Sequence, residues 1–184
     1  MSRVAISRSA DLANAWRAAS ADAWQGFALL VAPGCLALAV GLFVYLTDRD
    51  AAQAMLVPGV AALAGSNLFG PLGQWLPSFV HPFAFSLFTA AALSPRSVWR
   101  YGACASWCAV NVAFELGQHP QVSTRLADAV QVAFGPTSLT QPLASYFLRG
   151  TFDGGDIAAA ILGALAAAGL LWLSRARREA ADAQ

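Results

Sequence analysis

Residues 26–46, GFALLVAPGCLALAVGLFVYL, run for 21 positions without a charge and stop at Thr47-Asp48-Arg49-Asp50. A stretch of that length suffices to cross a bilayer as a helix. It is longer than a signal-peptide core and no small-residue cleavage signature follows, so it is read as a first transmembrane helix, kinked or loosened at Pro33-Gly34. The next apolar piece, 54–69, is broken by Pro58, Gly59, Gly65, Ser66 and Asn67. It is too short and too interrupted for an ordinary crossing and is expected to be a re-entrant or interfacial segment. Three further crossings are expected at 75–94, 98–118 and 156–174, the last closing on Arg175-Ala176-Arg177-Arg178. Between them, 120–149 carries Pro120, Pro136 and Pro142 beside patches such as ADAVQVAF, which suits an extracytoplasmic surface segment made of an amphipathic helix and irregular chain. The alanine-rich residues 1–25 suit a short helix on the cytoplasmic face. The pattern predicts an all-α, polytopic membrane helix bundle: one domain over 1–184 with four transmembrane helices plus a re-entrant or interfacial segment.

Composition agrees with a lipid solvent. Of 184 residues, 58% are apolar and only 11% charged, about half the usual charged share. All eleven basic residues are Arg, and the formal net charge of +1 gives no case for nucleic acid. With a cytoplasmic N-terminus, Arg3, Arg8, Arg17, Arg96, Arg100, Arg175, Arg177 and Arg178 fall inside, and only Arg49, Arg125 and Arg149 outside. That bias favours both termini on the cytoplasmic side of a cell membrane. Making 54–69 a full crossing would separate the arginine groups and lose it. Cys35, Cys104 and Cys108 all lie in apolar stretches, where packing is their expected role and a disulfide framework is not expected.

This topology brings a scattered set of polar residues to one leaflet. His81 opens the second crossing, Glu115 and Gln118 end the third, and Asp153 and Asp156 begin the fourth. On the third, Cys104, Cys108, Asn111, Glu115 and Gln118 recur at steps of 4, 3, 4 and 3 and share one helical face. On the fourth, Asp156, Ala160, Gly163 and Ala167 form a small-residue seam. The simplest packing sets the polar stripe of the third helix against that seam. Glu115 sits in the last turn of its helix, facing the negative end of the macrodipole. Compensation is expected from His81, Arg149, a bound cation or a retained proton. Asp153 and Asp156 flank Gly154-Gly155, and one of them suits a helix N-cap, leaving the other for a ligand. Cys104 and Cys108 lack the further ligands of a metal site, and Asp153-Gly154-Gly155-Asp156 lacks the spaced oxygens of a calcium loop. No metal and no cofactor are therefore expected.

The order His81-Pro82-Phe83-Ala84-Phe85, then Glu115-Leu116-Gly117-Gln118, then RGTFDGGDIAAAILGAL over 149–165 resembles the VanZ-like family of small polytopic bacterial membrane proteins. The resemblance covers about 77–167 and carries over His81, Phe85, Glu115, Gln118, Arg149, Asp156 and Gly163. Pro77 and Ser78 stand where the family commonly has an acidic-basic pair, and Ala160 stands at the family's asparagine position. The resemblance implies an accessory protein of the kind linked to glycopeptide antibiotic resistance, without a defined biochemical activity.

The expected function is an accessory or binding role in the bacterial cell envelope. An extracytoplasmic cluster of His81, Glu115, Gln118, Arg149, Asp153 and Asp156 would hold a lipid headgroup, a lipid-linked glycan or a cationic group. The external segments carry three Arg against Asp48, Asp50, Glu115, Asp128, Asp153 and Asp156, which favours a cationic or zwitterionic partner. The alternatives are an intramembrane enzyme with Glu115 and His81 as acid-base pair on a lipid-linked substrate, a proton-coupled carrier, and a purely structural polar clasp between helices.

Overall fold

Long charge-poor runs rich in alanine and leucine favour helix, and helix is the regular structure of the described residues. The computed structural model describes residues 3–48, 67–93, 97–135, 137 and 140–183. Within them lie six helices and no strand: α1 (Arg3–Asp48), α2 (Pro71–Ala92), α3 (Trp99–Gly117), α4 (Ser123–Phe134), α5 (Thr140–Arg149) and α6 (Gly154–Asp182). Two helices are long and apolar enough to cross a membrane: α1 over Trp24–Asp48, with mean hydropathy 2.5, and α6 over Gly154–Ala181, with 2.1. Only 22% of the first apolar window and 33% of the second is buried. A core helix of a water-soluble domain would hide most of such a surface. Here Leu29, Leu36 and Leu42 on α1 and Leu162, Leu165 and Trp172 on α6 stand exposed, as hydrocarbon contact allows and water disfavours.

The helices alternate in direction. Gly34 meets Phe88, Gly41 meets Val80, and Asp48 meets Gly73, so α1 and α2 run antiparallel along their length. Helix α6 runs parallel to α2, with Asp156 beside Ser78 at one end and Ala167 and Leu171 beside Leu87 and Ala90 farther along. Helix α3 runs against both, from Arg100 at the Ala90 carbonyl to Glu115 at the α6 N-terminus. The buried core joins all four helices through Leu30, Leu87, Ala90, Cys104, Ala167 and Leu171.

Several expectations need adjustment. The amino-terminal residues do not form a separate helix, because α1 continues unbroken from Arg3 through Pro33 to Asp48. The surface segment holds two helices, since Gly135 adopts φ 69 and ends α4 before α5 begins. The small-residue seam of α6 receives α2 at its closest point: a Cβ at Gly163 would collide with the Phe79 carbonyl oxygen. Only farther along does the seam, at Ala167, join Cys104 of α3 in the core. The re-entrant or interfacial reading of 54–69 falls almost wholly outside the described residues. Cys104 is buried and packs as expected, and all three cysteines are free thiols.

Gly163 should therefore resist even the smallest substitution. Gly163→Ala forces two backbones apart and should destabilise by about 1–3 kcal/mol, the usual cost of overpacking. Gly169→Ala has open space at its Cβ and should be neutral or stabilising by up to about 1 kcal/mol through helix propensity. Thermal unfolding of the two variants in detergent checks the contrast.

Candidate functional site

Helix directions bring the end of α1, the start of α2, the end of α3 and the start of α6 together. Asp153 is the N-cap of α6: its backbone is extended, and its Oδ1 accepts the Gly155 N–H at 2.8 Å. Its Oδ2 accepts the Trp75 indole N–H at 2.9 Å, fastening the first turn of α2 to the cap. These two donors, Gly155 first, hold the Asp153 carboxyl below its usual value. One turn into α6, Asp156 accepts the Ser78 hydroxyl at 2.6 Å.

Glu115 completes this arrangement from α3. Its side chain is buried, and its Oε1 accepts the backbone N–H of Asp153 at 2.6 Å. A carboxylate that opposes the dipole of its own helix thus lies against the positive end of another. The compensation comes from a main-chain donor and the α6 terminus, and the expected side-chain partners are elsewhere. His81 lies one turn beyond Ser78 on α2 and stacks on Phe85, with ring centroids 5.9 Å apart. Among the described residues it makes no hydrogen bond to Glu115 or the aspartates. Arg149 is exposed at the end of α5 and forms no ion pair with these carboxylates. Gln118 is buried against Gly150, where its side chain fills the space a Cβ would need. Its amide also faces the Tyr146 phenol, whose pKa is raised by burial and then by the Glu115 charge.

Asp48 is the member that the sequence pattern does not single out as a site residue. It closes α1 and accepts the backbone N–H groups of Leu68 and Phe69 at 2.9 and 3.0 Å, together with the Thr47 hydroxyl at 2.9 Å. The chain then turns through Gly70, whose φ of 54 favours glycine, into Pro71 at the first position of α2. Trp75 and Ser78 were equally inconspicuous. The available signal was position: all three residues lie near helix ends at the same end of the bundle as Asp153 and Asp156.

Between these ends lies a cavity of about 610 Å³, bordered by Asp48, Gln74, Thr151, Asp153 and Asp156 with Gly70 at its edge. Its size falls within the range of small-ligand sites. Three carboxylates border it, and no basic side chain does so among the described residues. Glu115, His81, Gln118 and Arg149 lie outside the cavity lining, so the expected set divides. Asp153 and Asp156 face the cavity, Glu115 and Gln118 brace the helices behind it, and His81 and Arg149 stand apart. No group of three candidate metal ligands occurs among the described residues. Comparisons with protein-family models, with curated proteins and with solved structures yield no match.

Two outcomes follow from this geometry. Glu115→Ala leaves the Asp153 N–H without its acceptor and should cost about 1–3 kcal/mol. Glu115→Gln keeps an acceptor oxygen and should retain most of that stability; thermal unfolding in detergent compares them. The lowered Asp153 pKa also has a pH signature. Its contribution is fully present above the ordinary aspartate range, near about 4, and is lost as the pH falls through the lower folded value. The stability gap between wild type and Asp153→Asn should therefore be open at neutral pH and close progressively in acid.

Proposed function

We propose that this is a four-crossing membrane protein with an accessory binding role in the bacterial cell envelope. In this reading α2 and α3 cross beside α1 and α6, both termini are cytoplasmic, and the acid-lined cavity opens at the extracytoplasmic end. The cavity takes a cationic or zwitterionic group, such as a lipid headgroup or part of a lipid-linked glycan. The observation that carries the reading is the convergence of Asp48, Asp153 and Asp156 around one ligand-sized cavity. Three neighbouring carboxylates favour positive charge at the mouth between the helix ends. The resemblance of His81, Glu115, Gln118 and the 149–165 segment to VanZ-like proteins points to the same setting.

A structural clasp is the second reading, favoured by the Glu115–Asp153, Trp75–Asp153 and Ser78–Asp156 hydrogen bonds. Glu115, Trp75 and Ser78 serve the clasp alone; Asp156 serves both readings, accepting from Ser78 and bordering the cavity, and the binding reading adds Asp48. The acid-base pair of Glu115 and His81 receives no support, because no hydrogen bond joins them and neither borders the cavity.

The test separates placement from role. In a chain without Cys35, Cys104 and Cys108, a cysteine at Thr151 should react with a membrane-impermeant maleimide added to intact cells. Asp48→Asn and Asp156→Asn should each change sensitivity to envelope-directed antibiotics at equal protein level. Labelling only after cell lysis would overturn the orientation, and unchanged sensitivity in both variants would leave the clasp.

A further inference from the structure

At the opposite end of the bundle, a second cavity of about 350 Å³ lies between α1, α2, α3 and α6. Trp24, Phe27 and Leu30 of α1 and Leu93 after α2 form its apolar wall, and Arg100 and Arg178 border it. Among the described residues no carboxylate lines it. Arg100 is buried in the first turn of α3, and its Nε donates to the Ala90 carbonyl at 3.0 Å. That carbonyl belongs to the last turn of α2, so the guanidinium is held between the start of α3 and the end of α2. Arg178 reaches across from the end of α6 and occupies the space over the Gly26 backbone. It is close enough to Arg100 for the two charges to repel. An anion placed between them offsets that repulsion.

We propose that this cleft is a binding site for an anionic phospholipid of the cytoplasmic leaflet. The phosphate lies between Arg100 and Arg178, and the start of an acyl chain runs over Phe27 and Leu30. Trp24, largely exposed, takes the position of an interfacial aromatic anchor. The inference rests on the membrane reading above, under which the arginine-rich end faces the anionic cytoplasmic surface. Basic pockets between membrane helices on that side bind anionic headgroups. An apolar wall joined to a paired cationic rim matches a phospholipid better than a free phosphate, which would leave Phe27, Leu30 and Leu93 uncovered.

Native mass spectrometry of the full chain in a neutral detergent tests this, with equimolar phosphatidylglycerol and phosphatidylcholine as probes. Wild type should retain phosphatidylglycerol preferentially. Arg178→Ala should reduce that retention roughly fivefold, the worth of one cationic side chain at an anionic surface, and Arg178→Lys should restore most of it. Gly26→Leu, which displaces the guanidinium without removing its charge, should also weaken retention and guards against misfolding of the arginine variant. Equal retention of the two lipids by wild type would overturn the proposal, as would unchanged retention in both Arg178→Ala and Gly26→Leu. Displacement of the lipid by millimolar glycerol phosphate would reassign the site to a soluble phosphate and overturn it likewise. Carbonate extraction of the wild-type chain from membranes separates the two readings. Release by carbonate overturns both, whereas a retained chain without headgroup preference overturns this one alone.

Discussion

The acidic end of the protein depends on where one buried carboxylate finds a donor. Glu115 ends α3 against its own helix dipole and inside the fold, a position that would be costly without a partner. The partner is the backbone N–H of Asp153, the residue that caps α6. One contact therefore joins the negative end of α3 to the positive end of α6. Asp153 extends the link to α2 through Trp75, and Asp156 repeats it one turn deeper through Ser78. Three helices are pinned at a single point, and the cavity beside that point inherits its shape from them.

Packing farther along the bundle makes this meeting possible. The absence of a side chain at Gly163 lets α6 approach the α2 backbone at Phe79, which brings the two helix starts level. From there Ala167 and Leu171 continue into the shared core with Leu30, Leu87 and Cys104. The two ends of the bundle then differ sharply in charge. Asp48, Asp153 and Asp156 border one cavity, and Arg100 and Arg178 border the other. Acidic and basic side chains are thus gathered at opposite ends of the four-helix packing.

The helices themselves were legible because long, charge-poor apolar runs favour helix, and among the described residues two of them, in α1 and α6, are also long and apolar enough to cross a membrane. The expected 26–46, 75–94, 98–118 and 156–174 each fall within or closely match α1, α2, α3 and α6. Asp153 was legible as a cap candidate because capping is local, a short acceptor just before an apolar helix. The partner of Glu115 was not. Sequence reasoning searches among side chains such as His81 and Arg149, whereas a backbone N–H is present at nearly every residue and marks none of them. The seam around Gly163 announced a close approach without saying which helix would make it, since small residues permit contact from any neighbour. Asp48 joined the site only through the turn at Asn67–Gly70, whose geometry places Leu68 and Phe69 against it. Division of the surface segment into α4 and α5 followed from Gly135, a local stop whose effect on the preceding helix depends on its left-handed backbone.

The link between α3 and α6 can be read directly at the atom that makes it. Residue-resolved amide hydrogen exchange on the full chain in detergent or nanodiscs measures the opening of the Asp153 N–H. In wild type that amide should be strongly protected, and Glu115→Ala should remove the protection while leaving amides in the middle of α6 slow. An Asp153 amide that exchanges in wild type as freely as one in exposed chain would contradict the joining of the two helices through Glu115.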